Sequence, residues 1–242
     1  MNFYFITLFP DELRSFFQKG IIGKAVDAGI IRPHFINLRD FAINRYGQVD
    51  DPPFGGKKGM LIRVDVLYNA ITSVPDYKSA AIFSTCPKGD ILSQSTVSSI
   101  QNNYSSLIIL SGYYEGFDDR IYTLLPIQRF SIGNVILSSG DPAAIALAES
   151  VARLVPGVIG DPDCISEDSH VSGLLEHPQY APPRVFQNLP VPDILLSGHH
   201  KNIASWKRQQ SLGTSLLLQP QLLADVHLSQ EDKALLTDFL KE

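Results

Sequence analysis

The sequence contains too few cysteines for a disulfide framework or a cysteine-rich metal site. Only Cys86 and Cys164 occur among 242 residues, and no Cys/His spacing matches a zinc motif. So few cysteines are typical of a reducing compartment, and we therefore expect a cytoplasmic protein. The start of the sequence also lacks a basic leader with a small-residue cleavage site, and residues 2–8 predict a buried strand instead.

Long apolar runs and an extreme charge are likewise missing. The longest apolar stretches, such as residues 107–110, are far too short to cross a bilayer. Lys and Arg number 20 against 25 Asp and Glu, the net charge is −5, and hydrophobic residues make up 44%. This balance excludes a disordered or fibrous chain. It predicts a globular protein with one large domain, or one domain and a small appendix.

Charge is unevenly distributed along the chain. From Arg14 to Arg63 nine Lys/Arg accompany four Asp/Glu, and from Ile194 to Ala224 three basic residues occur with no acidic one. Local basic faces favour encounter with a polyanion such as a nucleic acid. Chance asymmetry on a solvated surface would give the same counts, so charge alone leaves both interpretations open.

Short apolar runs alternate with helical patterns up to about Gly160, which indicates an α/β fold with a mainly parallel sheet. We expect strands at residues 2–8, 32–37, 80–85, 106–110 and 135–137, and helices at 64–73, 93–101, 118–125 and 143–154. Beyond this pattern the sequence predicts an acidic flexible linker and then a small helical domain that ends in a helix capped by Ser229. The expected segments are 1–160, 161–176 and 177–242.

Four segments have the composition of ligand-binding loops. VDDPPFGGKKGM, residues 49–60, holds two prolines and three glycines and cannot be a helix or a central strand. Residues 84–89, 111–116 and 131–141 each follow a predicted strand, and ligands of open α/β sheets bind outside the carboxyl ends of the strands. None contains GxGxxG, so a nucleotide-dependent oxidoreductase is the weaker alternative.

Two charged residues and one basic segment complete the candidates. Arg153 lies near the end of a predicted helix and Asp168 in the acidic linker, and an acid and an arginine so separated can meet around a substrate. In the segment 197–213, helical periodicity places Lys201 and Arg208 near one face. Basic side chains with an aromatic nearby suit phosphate contact.

Taken together, these segments resemble the bacterial tRNA (guanine-N1-)-methyltransferases of the SPOUT class. The resemblance covers nearly the whole chain and rests on strings that occur in the family's order and spacing. They are Arg39-Asp40-Phe41, VDDPPFGGKKGM, Tyr114-Glu115-Gly116, Ser131-Ile132-Gly133, SVARLVPGVIG, Glu167-Asp168-Ser169 and VPDILLSGHH.

The resemblance implies a deep trefoil knot in the α/β domain, S-adenosyl-L-methionine bound by the knot loops, and an obligate homodimer that binds tRNA. It implies neither a membrane nor a DNA partner. Family members use Mg²⁺, for which Glu115 is the candidate residue, and no other metal site is predicted. The cofactor-binding positions implied by motif are Pro87, Gly112, Tyr114, Glu115, Ser131, Ile132, Gly133, Asn134, Val135, Ile136, Leu137 and Gly140.

The resemblance further implies methylation of N1 of guanosine 37 in tRNA, with Asp168 as general base and Arg153 assisting it. These residue types suit the chemistry. Guanine N1 carries a proton that a carboxylate can remove, and a guanidinium can stabilise the negative charge that builds on O6.

Several positions depart from the family pattern. Their number leads us to expect altered affinity for cofactor or tRNA, and it motivates a second hypothesis, an RNA-binding protein of this fold without catalysis. The departures are Tyr113 for Arg, Asn134-Val135 for Asp-Tyr, Ser139-Gly140-Asp141 for Gly-Gly-Glu, and Pro182 and Thr214 for arginines.

Overall fold

A computed structural model of the chain describes residues 1–160, 165 and 168–241. The chain divides into two compact units, residues 1–160 and 161–242. Two residues named above, Cys164 and Glu167, lie outside the described part. No helix in the described part combines the length and the apolar composition that crossing a membrane requires.

The first unit is built on a parallel sheet, which confirms the predicted α/β class. Its strands are β1 (Asn2–Thr7), β2 (Arg32–Asn37), β3 (Asp50–Asp51), β4 (Leu61–Ile62), β5 (Ala81–Ile91), β6 (Ser106–Leu110) and β7 (Gln128–Ser131). Five of them form one sheet in the order β2-β1-β6-β5-β7 with every pairing parallel, while β3 and β4 form a short antiparallel ribbon.

Helices cover both faces of this sheet. They are α1 (Pro10–Phe16), α2 (Gly20–Asp27), α3 (Val64–Thr72), α4 (Gln94–Asn103), α5 (Ile121–Leu124) and α6 (Asp141–Leu154). Successive strand side chains point to opposite faces, so β1 contributes to two cores. Phe3 and Phe5 pack with residues of α1, α2, α4 and α6, whereas Ile6 packs with residues of α3 and α5.

The prediction of a strand at residues 135–137 is wrong. The strand of this region is β7, which pairs with β5 and ends at Ser131. Residues 135–137 lie in the loop that follows β7, and the Ile136 side chain is 80% exposed. An apolar run forms a strand only where a neighbouring strand pairs with it, and residues 135–137 pair with none of the strands of this sheet.

The prediction of a loop at residues 84–89 is also wrong, because this segment belongs to the second half of β5. The register between β5 and β7 shifts between Thr85 and Asp90, as at a β-bulge. Gly89 lies within the shift, and a Cβ there would sit 2.5 Å from the Cα of Phe130. The glycine therefore allows close contact between strands and does not mark a turn.

The second unit contains a small hairpin and several helices. Its elements are β8 (Val185–Phe186), β9 (Leu189–Pro190), α7 (Asp193–Leu196), α8 (His200–Leu218), α9 (Leu222–Asp225) and α10 (Gln230–Phe239). The predicted capping box at Ser229 is present, with Asp232 as its reciprocal partner. Residues before the hairpin contact α8, where the Leu175 amide donates to Ser215 Oγ at 2.9 Å.

One expectation for α8 needs correction. Arg208 does not extend beside Lys201 toward a phosphate, because its Nε donates to the Asp232 carboxylate at 2.7 Å. That carboxylate also accepts the backbone amide of Ser229. Arg208 thus joins α8 to α10 within the second unit.

Candidate active site

The carboxyl-terminal parts of β5, β6 and β7 and the segments that follow them enclose a cleft of about 480 Å³. These three strands are neighbours in the sheet, with β5 in the middle. Parallel strands end at one edge of a sheet, so segments distant in sequence meet there. The volume is typical of a site for a small organic ligand.

Most of the residues that the resemblance assigns to the cofactor line this one cleft. Gly133 and Asn134 are not among the lining residues, although they belong to the same loop. Gly133 shapes that loop, because Ser131 Oγ donates to its carbonyl at 2.8 Å and accepts from its amide at 3.2 Å. The assigned residues that line the cleft are Pro87, Gly112, Tyr114, Glu115, Ser131, Ile132, Val135, Ile136, Leu137 and Gly140.

Two cleft loops cross in backbone contact at Gly112 and Gly140. The Gly140 amide donates to the Gly112 carbonyl at 2.7 Å, and the Gly112 amide donates to Thr85 Oγ1 at 2.9 Å. A Cβ on Gly140 would lie 2.6 Å from the Gly112 nitrogen and would overlap the Thr85 hydroxyl. Position 140 therefore requires glycine, because there is no space for a Cβ atom.

The loop after β6 turns sharply so that Tyr114 and Glu115 face the cleft. Tyr114 has a φ of 57°, and its side chain is 55% exposed. The Glu115 amide donates to the Met60 carbonyl at 3.0 Å, and the Ile62 amide donates to the Gly116 carbonyl at 3.0 Å. The proline- and glycine-rich segment 49–60 is thus attached to this wall of the cleft.

A buried carboxylate joins the cleft loops to the sheet. Asp141, the first residue of α6, is 4% exposed and accepts hydrogen bonds from the hydroxyls of Thr7, Ser111 and Tyr113. Burial raises the pKa of Asp141, while the hydrogen bonds from Ser111 and Thr7 act in the opposite direction. The three donors come from the end of β1 and from the residues just after β6.

Sequence reasoning missed two residues of the cleft wall, Tyr122 and Arg129. Thr85 and Cys86 also line the cleft, and they belong to the segment 84–89 that the sequence had indicated. The Arg129 guanidinium lies 3.6 Å from the centre of the Tyr122 ring, and burial raises the pKa of that tyrosine. Arg129 is two residues before Ser131, on a strand that leads into a predicted ligand-binding loop. This position was the signal that could have identified it from the sequence.

Comparison with known proteins assigns the chain. The family described as tRNA (Guanine-1)-methyltransferase TrmD matches residues 1–225. The chain belongs to this family. It is accordingly an S-adenosyl-methionine-dependent methyltransferase by class, which decides against the oxidoreductase alternative.

Relatives named tRNA (guanine-N(1)-)-methyltransferase align over nearly their whole length. The one from Dehalococcoides mccartyi strain 195 is 38% identical over 98% of this chain and 96% of its own. The one from Deinococcus deserti is 41% identical over 99% of this chain and 88% of its own. The one from Thermus thermophilus is 40% identical over the full length of both chains.

The two residues that the family resemblance implies in catalysis lie in different units of this methyltransferase. Arg153 is an exposed residue in the last turn of α6. Asp168 is half-buried; its amide donates to the Ile165 carbonyl at 3.2 Å, and its carbonyl accepts from the Val171 amide. Asp168 is thus held by local backbone hydrogen bonds at the start of a turn.

The described residues of this methyltransferase do not form a metal site. They contain no cluster of three or more His, Cys, Asp or Glu side chains. Glu115, the position considered for Mg²⁺, pairs instead with the ammonium group of Lys57. The donor set at this point of the cleft therefore does not fit a divalent cation.

Proposed function

We propose that this chain transfers a methyl group from S-adenosyl-L-methionine to N1 of guanosine 37 in tRNA. The observation that carries the proposal is the cleft, because ten residues assigned to cofactor binding from separate motifs line one cavity. Family membership supports both the methyl donor and the guanine target. We also propose that the reaction takes place in the cytoplasm and involves no DNA.

The cleft suits the methyl donor in size and in the character of its walls. Gly112 and Gly140 add no side chains to this part of the cleft, while Ile132 and Leu137 supply apolar surface for an aromatic ring. When bound, S-adenosyl-L-methionine supplies the methyl group from a positively charged sulfur. Tyr114 contributes an aromatic face, which favours a cation.

We further propose that residues 1–160 contain the trefoil knot of the SPOUT class and that two chains form the working enzyme. The tight passage of residue 140 beside Gly112 and Thr85 supports the knot, because such a crossing requires glycine. Exposed apolar side chains at Val135 and Ile136 support a homodimer, since a second chain would cover them.

Asp168 serves in this proposal as the general base. Its carboxylate accepts the N1 proton while N1 attacks the methyl carbon, and the donor's sulfur leaves as a neutral thioether. Arg153 stabilises the negative charge that develops on guanine O6. Placing the base outside the α/β unit allows the correct tRNA to complete the site, which links catalysis to recognition.

Residues 177–242 of the second unit serve in this proposal as the tRNA-binding domain, and residues 161–176 serve as the linker before it. Lys201 lies on α8 and is exposed, which suits a phosphate contact. Because Arg208 is committed to Asp232, the basic surface of α8 is smaller than the sequence indicated.

The test is incubation of the full-length protein with purified tRNA and radiolabelled S-adenosyl-methionine, followed by nucleoside analysis. We expect 1-methylguanosine at position 37. Asp168→Asn should lower the single-turnover rate by roughly 10²–10⁴-fold, the usual contribution of a general base. Glu176→Gln, a change in the same acidic stretch, is the matched control and should leave the rate unchanged.

Two outcomes would contradict the proposal. An unchanged rate in Asp168→Asn would remove the general-base role while leaving the activity in place. Retention of tRNA without any methyl transfer by the wild type would favour the non-catalytic RNA-binding hypothesis.

A further inference from the structure

The glycine-rich segment 55–60 packs directly on Glu115. Its Lys57 ammonium forms an ion pair with the Glu115 carboxylate, and both side chains line the cleft. The Met60 carbonyl accepts the Glu115 amide at 3.0 Å. Lys57 and Glu115 are 58 positions apart in sequence, so only the fold brings them together.

The backbone at Gly59 lies close to the side chain of Glu115. Gly59 has a φ of 111°, and a Cβ at that position would lie 2.6 Å from Cγ of Glu115. Glycine therefore permits an approach that any other residue would block.

A divalent cation would have to displace this ammonium group. Mg²⁺ binds through carboxylates and water, and Glu115 is one of two acids among the described residues that line the cleft. The other, Asp119, pairs with Arg129. Each carboxylate of the cleft wall thus already has a cationic partner from this chain.

We infer that Lys57 is the resident counter-cation of Glu115 and that methyl transfer by this enzyme needs no divalent metal. The inference rests on the proposed methyl transfer. It adds that the positive charge beside Glu115 comes from Lys57 and not from a metal ion. Lys57 acts here as a positioning residue, because it holds and neutralises a carboxylate that faces the methyl donor's cleft.

Activity without divalent metal is the first test. Transfer rates are compared in EDTA and in excess Mg²⁺, with spermidine in both so that tRNA stays folded. Wild type should show equal kcat/KM in the two conditions. Lys57→Met should lose roughly three- to fivefold in EDTA, the most that a pair this exposed is worth, and Mg²⁺ should restore the loss.

Two further variants test whether the positive charge at position 57 matters, or whether loss of any surface lysine in this segment has the same effect. Lys57→Arg keeps a cation and should behave as wild type in EDTA. Lys58→Met removes the adjacent exposed lysine, which does not line the cleft, and should also behave as wild type. A wild type that methylates only with Mg²⁺, or a loss in Lys58→Met equal to that in Lys57→Met, would overturn the inference.

Direct ion binding is the second test and does not depend on turnover. Mn²⁺ is titrated into protein saturated with S-adenosyl-homocysteine and followed by electron paramagnetic resonance. Lys57→Met should bind Mn²⁺ more tightly than wild type, because Glu115 is then unpaired. Equal binding by the two proteins contradicts the inference even if methyl transfer is confirmed, whereas a wild type inactive under every condition refutes the proposed function instead.

Discussion

The Tyr113 hydroxyl donates a hydrogen bond to the buried carboxylate of Asp141. The resemblance to the family led us to expect an arginine and a glutamate at these two positions. In this chain the donor after β6 is a neutral hydroxyl, and the acceptor is the carboxylate at the start of α6. The pair therefore connects these two segments without a cationic side chain.

The first prediction concerns that hydroxyl. Tyr113→Phe removes one of three donors to Asp141 and should lower the free energy of unfolding by about 1–3 kcal/mol, since a buried acceptor loses a partner. Tyr104→Phe, at a partly exposed tyrosine outside the cleft, is the control and should change it by less than about 0.5 kcal/mol. Urea denaturation measures both, and equal effects would contradict the role of the hydrogen bond.

The second prediction concerns the pH dependence of stability. Because burial raises the pKa of Asp141 above its ordinary value of 3.8, the unfolded chain loses this proton at lower pH than the folded chain does. Stability that Asp141 contributes below pH 3.8 is therefore lost as the pH rises through the raised folded pKa.

Asp141→Asn cannot titrate and isolates this contribution. The free energy of unfolding of wild type minus that of Asp141→Asn should decrease as the pH rises from about 4 toward neutrality. Other groups titrate alike in both proteins and cancel in the difference. A difference that stays constant or grows with pH would show that the carboxylate is not destabilised by burial.

The third prediction concerns the crossing of the cleft loops. Gly140→Ala places a Cβ against the Gly112 nitrogen and the Thr85 hydroxyl and should destabilise the protein by about 1–3 kcal/mol or more. Binding of S-adenosyl-homocysteine, measured by calorimetry, should weaken with it. Gly160→Ala has open space around the new Cβ and serves as the control. A Gly140→Ala protein as stable as this control would mean that the loops cross less closely.

The fourth prediction concerns the second unit. The hydrogen bond from Arg208 lowers the pKa of Asp232 to about 2, so the stability from this pair is present above pH 3.8 and is lost as the pH falls toward 2. Arg208→Met should lower the free energy of unfolding at neutral pH by about 1–3 kcal/mol, because it leaves a mostly buried carboxylate without its cation. Lys201→Met, at an exposed lysine of the same helix, is the comparison and should change the free energy of unfolding by less than about 0.5 kcal/mol. Thermal unfolding at neutral pH and at about pH 3 should show a smaller loss at the lower pH.

The sequence by itself determined the α/β class and the family. Short apolar runs indicated β1, β2 and β6, because strands of a parallel sheet covered on both faces are rich in apolar residues. Helical patterns indicated α3, α4 and α6 to within three residues, and Ser229 marked the start of α10 through local hydrogen bonds. The motif strings sufficed for the family, since their order does not depend on folding.

Only the tertiary structure decided which residues meet. Residues 135–137 have the composition of a strand, yet they lie in a loop and pair with no strand of the sheet. The pairing of Lys57 with Glu115, the commitment of Arg208 to Asp232 and the burial of Asp141 beneath three hydroxyls each join residues far apart in the chain. Short-range patterns carry no information about such contacts, because they arise from the packing of whole elements.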